Sequence, residues 1–114
     1  MATPAAFAVE PNGVVAVLDA GNAFTLTRFD NTGSVVSQAS RISPYMSRYF
    51  SAAIDKKNSL VYIAYPSPVV KATGDFSFKV LYTRGAVDQY NFHGQFQRTF
   101  FLPGRTDIST TCYT

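Results

Sequence analysis

With 114 residues, 46% of them hydrophobic and only 15% charged, the chain has the length of one domain and less charge than the roughly 25% usual in soluble domains. That length buries roughly two-thirds of the unfolded surface, enough for one core without staples. Ten Lys and Arg against seven Asp and Glu give a net charge of +3. Only Lys56 and Lys57 adjoin, so no basic track for a phosphate backbone is present, and nucleic acid is set aside as a partner. The single cysteine, Cys112, excludes an internal disulfide. Met1-Ala2-Thr3-Pro4 lacks the basic start and apolar run of a secretory signal, and no apolar stretch reaches the roughly 18 residues of a membrane span. The expectation is a chain with no membrane partner, inside a cell or in a particle assembled there.

From Phe7 to Val36, four runs with apolar residues at alternate positions are broken at Pro11-Asn12-Gly13, Gly21-Asn22 and Asn31-Thr32-Gly33. Alternation places one set of side chains on each face of a pleated strand, and each break holds residues that accept positive φ. The predicted strands are Ala6 to Glu10, Val14 to Asp19, Ala23 to Asp30 and Ser34 to Ile42. The second divides into Val15 and Val17 on one face and Val14, Ala16 and Leu18 on the other, so it is central. The third sets Phe24, Leu26 and Arg28 against Thr25, Thr27 and Phe29. The fourth, polar at both ends, reads as an edge.

Ser43-Pro44 opens a linker with room for one helical turn. A second pass follows: Tyr49 to Asp55, the turn Lys56-Lys57-Asn58-Ser59, then Leu60 to Tyr65. Pro66 to Asp75, with two prolines and a glycine, reads as a loop; Phe76 to Arg84 is a strand, Gly85 a turn, and Ala86 to Phe92 the fourth strand of this unit. Matching positions, such as Val9 with Ile54 or Val15 with Val61, recur at about 45 residues. Phe96 to Leu102 and Asp107 to Thr114 offer two more strands, which either pair with another subunit or close an edge within this one.

The fold expected is all-β: two antiparallel four-stranded meanders in a single domain. The units span 6–42 and 49–92, with C-terminal strands in 96–114. A sandwich or barrel of short strands is the alternative.

The first unit resembles an NHL-type β-propeller blade. The resemblance rests on Val9, Pro11, Gly13, Val15, Val17, Asp19, Gly21, Asn22, Phe29, Asp30 and Gly33, and covers about thirty residues of the chain. In the second unit Tyr65-Pro66-Ser67-Pro68 stands where the first has Asp19-Ala20-Gly21-Asn22. The resemblance implies a binding or scaffolding surface. Because a propeller needs roughly four blades or more, it also implies assembly of several chains or an open structure.

Catalytic chemistry finds little support in the residues. His93 is the one histidine, with Asp88 the nearest carboxylate in sequence. Cys112 has no anchored base nearby. Asp19, Asp30, Asp55 and Asp75 fall at strand ends, where they satisfy turn amides or converge on a cation, the turn role being favoured. No HxH, HExxH, CxxC, phosphate-loop or nucleophile-elbow spacing occurs, so no enzyme, metal or cofactor is expected. The unusual feature is aromatic: ten Phe and seven Tyr. Phe100 and Phe101 are adjacent and point to opposite faces of a strand, so both faces need a cover. A subunit interface built on Phe96, Phe100, Phe101 and Tyr113 is therefore expected, in a non-enzymatic structural protein of a homo-oligomer or larger assembly such as a virion. The alternative is a lectin-like module in which Tyr or Phe stacks on carbohydrate.

Overall fold

In the computed structural model, which describes residues 3–21, 23–43, 50–75 and 77–103, the chain is all-β. The first sheet is β1 (Pro4–Val9), β2 (Val15–Asp19), β3 (Thr25–Phe29) and β4 (Val35–Ala39). The second is β5 (Ser51–Asp55), β6 (Leu60–Ala72), β7 (Phe78–Asn91) and β8 (Phe96–Phe101). Each sheet is an antiparallel meander in sequence order, and no strand crosses from one to the other. The two separate sheets therefore exclude the closed barrel.

One three-residue turn is used three times. Glu10 N–H donates to Val14 O at 2.8 Å and Gly13 N–H to Glu10 O at 2.9 Å; Asp30, Gly33 and Ser34 repeat the pattern, as do Asn91, Gly94 and Gln95. The third loop residue is always glycine, at φ of 85°, 87° and 81°, a region that costs other residues about 1–2 kcal/mol. Asp30 Oδ1 accepts the amides of Thr32 and Ser34, and Asn91 Oδ1 those of His93 and Gln95. The β3–β4 and β7–β8 turns are thus the same structure.

That identity fixes which positions of the two sheets correspond. Phe29 precedes one turn and Tyr90 the other, and they pair with Val15 and Val61, which in turn pair with Val9 and Ile54. Val15 therefore matches Val61 and Val17 matches Ile63, as the sequence repeat predicts. The buried core joins Ala16, Leu18, Phe24, Leu26 and Ile42 to Val61, Ile63 and Tyr90. The first sheet thus contributes the face carrying Ala16 and Leu18, and the second contributes the face matching Val15 and Val17. The sheets pack front to back.

Four expectations are corrected. Gly21-Asn22 does not make a two-residue hairpin: Ala23 and Phe24 lie outside the strands, at φ of 63° and 65°. Pro66 to Asp75 is not a loop, because β6 runs through both prolines to Ala72. A proline nitrogen cannot donate, so its place in a strand is the side turned away from the partner; Pro66 and Pro68, two apart, share that side. Nor does Gly85 turn the chain. It pairs with Pro66 inside β7, and a Cβ there would sit 2.6 Å from Leu102 Cδ1, so the glycine marks a close approach. Ala86 to Asn91 is consequently the third strand of the second sheet, and Phe96–Phe101 its fourth, which extends that unit past residue 92. The predicted linker turn from Pro44 onward and the strand Asp107 to Thr114 lie outside the described residues.

Beyond the reach of β5 and β8, Tyr65 to Ala72 and Phe78 to Gly85 pair with one another, and among the described residues only Gly85, whose carbonyl accepts the Leu102 amide at 2.9 Å, has a further backbone partner. This two-stranded arm gives the molecule a 56 Å long axis and a radius of gyration of 17.1 Å, against about 13 Å for a compact chain of this length.

Candidate interaction surface

The two sheets are joined at their turn end by Arg28. Its guanidinium donates to Glu10 through Nε at 2.8 Å and Nη2 at 2.7 Å, in the two-pronged geometry that makes such pairs strong. Nη1 donates to Ser37 Oγ at 3.2 Å, and the guanidinium lies 5.5 Å from the Phe92 ring of the second sheet. This pairing lowers the Glu10 pKa and raises that of Arg28. A cleft of about 420 Å³ opens beside it, lined by Arg28, Gln38, Asn58, Asn91, Phe92 and His93. His93 is exposed there and does not meet Asp88.

Asp88, which the sequence reading named only as a neighbour of His93, is the most connected buried polar group of the second sheet. It accepts from Tyr65 Oη at 2.9 Å, Tyr90 Oη at 3.3 Å and Thr99 Oγ1 at 2.6 Å, so one carboxyl group ties β6, β7 and β8. Burial pushes the Tyr90 pKa above its ordinary 10.0, against the opposing effect of its hydrogen bond with Ser43. The alternation of Asp88 with Ala86 and Tyr90 carried this signal, since all three share one face of the strand.

Asp19, Asp30 and Asp55 sit at turns and accept amides, as expected of aspartates there. Asp19 takes the N–H of Thr3 and Gly21, Asp30 that of Thr32 and Ser34, and Asp55 that of Lys57 and Asn58. Each pKa is lowered from 3.8: for Asp19 chiefly by the Thr3 amide, for Asp30 by the Thr32 hydroxyl, for Asp55 by the Asn58 side chain. Groups whose folded pKa is depressed stabilise the fold above their unfolded pKa, and that stability is lost as pH falls through the folded values. Urea midpoints are therefore expected to be flat from neutral pH down to about 5 and to drop below it. A midpoint that holds steady to pH 2.5 contradicts this assignment.

The predicted interface residues on β8 have separate environments. Phe96, 58% exposed, meets the Tyr90 ring edge-on at 5.8 Å. Phe101 lies under the Arg84 guanidinium at 3.7 Å, and Arg84 Nε is buried without a hydrogen-bond partner among the described residues. Phe100 is exposed on the outer face of the second sheet, opposite Val87. The adjacent pair does divide between the faces, and β8 closes the edge of its own sheet. Tyr113 and Cys112 lie outside the described residues.

Apolar surface extends well beyond these positions. Phe7, 73% exposed, and Val9 stand with half-buried Val15, Val17 and Phe29 on the outer face of the first sheet, along a groove of about 450 Å³ between β1 and β2. The arm exposes Val70, Phe78 and Val80, and a groove of about 570 Å³ at its base is lined by Phe50, Tyr65, Pro66, Arg84, Val87 and Leu102. Comparison of the chain with protein-family models, curated proteins and solved structures finds no significant match.

Proposed function

We propose that the chain is a non-enzymatic, blade-like structural subunit that assembles with copies of itself or within a larger particle such as a virion. The observation that carries this reading is the outer face of the first sheet, where exposed Phe7 and Val9 stand beside half-buried Val15, Val17 and Phe29 in one apolar patch. Monomeric soluble proteins rarely leave such a surface wet. The low charge, the number of strands and the unpaired arm support the same reading. Sedimentation of the purified chain at micromolar concentration is expected to give a multiple of 12.5 kDa. A monomer at every concentration tested rejects it.

A carbohydrate-binding module is the second reading, supported by the cleft that sets Phe92 among Arg28, Asn58 and Asn91. The cleft lies between the sheets rather than at matching places on each, which favours assembly. Saturable binding on a glycan array by a monomeric chain reverses that preference.

A further inference from the structure

Two sheets that pack front to back leave one front and one back uncovered. In the first sheet the covered face carries Ala16, Leu18 and Leu26, and the open face carries Val15, Val17 and Phe29. In the second the faces are exchanged. Val61, Ile63 and Tyr90, which match Val15, Val17 and Phe29, are buried, whereas Tyr62, Ala64 and Val87, which match Ala16, Leu18 and Leu26, lie half-buried on the uncovered side. Phe100, paired with Val87, stands where the first sheet has Ala39, itself packed on the core. Each open face is therefore the counterpart of a face already buried inside the molecule, and the partner that counterpart meets is known from the same structure.

Resting on the assembly reading above, we infer that the open face of the second sheet, centred on Tyr62, Val87 and Phe100, docks on the open face of the first sheet of a second copy, centred on Phe7, Val15 and Val17. The joint continues the packing that already unites the two sheets. Its two surfaces differ, so it is head to tail and leaves the same two faces open at the ends of any chain of copies. Repetition of one rotation closes such a series into a ring or extends it into a filament. Sheets stacked in this way close at about four to eight, so the ring holds about two to four copies. A symmetric joint of like faces would set the side that matches Val61 and Ile63 against itself, a pairing without precedent inside the molecule.

The test uses one blocking charge on each face. Phe7→Arg and Phe100→Arg both replace exposed side chains, and circular dichroism checks that each variant keeps its strands. Each alone is expected to sediment as a monomer, because each retains only one working face. An equimolar mixture is expected to form a 1:1 dimer that grows no further. If either variant alone still dimerises, like faces meet and the head-to-tail joint is overturned. If both variants keep the wild-type mass, the joint is overturned while assembly through the arm or β8 stands; if their mixture stays monomeric, the head-to-tail joint is overturned. A wild-type monomer overturns assembly itself. Val17→Arg and Val87→Arg repeat the test within the same two faces, and the same outcomes decide it.

Discussion

Replacing Phe24 with alanine is expected to cost about 3–5 kcal/mol, the range for deleting a buried phenyl ring, and to leave the chain at the edge of unfolding. The ring is 2% exposed, packs in the core shared by both sheets, and meets Phe50 edge-on at 5.1 Å and 86°. Its loss opens a cavity between the sheets, where neither can collapse without giving up its own ladder. The backbone adds a second, separable effect. Phe24 has φ of 65°, and its carbonyl accepts the Ile42 amide at 2.9 Å, which holds it there. Glycine takes that conformation without the penalty of about 1–2 kcal/mol borne by alanine. Phe24→Gly is therefore expected to be less damaging than Phe24→Ala, the reverse of the usual order away from turns. Chemical denaturation of both variants checks this, and a glycine variant less stable than the alanine one contradicts it.

Asp88→Ala is expected to cost about 3 kcal/mol, because it withdraws a shared acceptor from three hydroxyl groups inside the second sheet. The loss should be local before it is global. Thr99 is the tie from β8 to this acceptor, so amide exchange in Phe96–Phe101 is expected to speed up more than exchange in the first sheet. Asp88→Asn keeps an acceptor oxygen and should fall between the two. Equal loss of protection in both sheets would mean that Asp88 acts on the whole core rather than on the β8 edge.

Most of the first sheet was legible in the sequence because two of its three breaks are turns in the plain sense. Pro11-Asn12-Gly13 and Asn31-Thr32-Gly33 each end in a residue at positive φ, and between them the alternation of Val14, Ala16 and Leu18 with Val15 and Val17 marks the two faces correctly. The second sheet was misread where the same residue types have another cause. Proline and glycine ordinarily interrupt strands. In the arm, however, the donor that Pro66 and Pro68 lack faces an open margin with no ladder to break, and Gly85 makes room for Leu102. Asn91-Phe92-His93-Gly94 hides the third copy of the turn because asparagine replaces aspartate and two large side chains fill the loop. The positive φ of Phe24 carries no local mark, since it is imposed by Ile42 and Ser43 pairing with the carbonyls of Phe24 and Ala23 from outside the hairpin. The aromatic excess pointed to rings at the surface, but not to which side of which sheet, because that depends on how the repeats are rotated against each other.

The arm has one more consequence. Beyond its base, where Tyr65 reaches Asp88, Arg84 covers Phe101 and Gly85 accepts from Leu102, the described residues of the arm pair only with one another, so the length of that outer part is not coupled to the packing of the sheets. Each residue added to both strands would carry the tip outward by about 3.3 Å while leaving every core contact in place. Reach and stability are thus separate variables in this architecture.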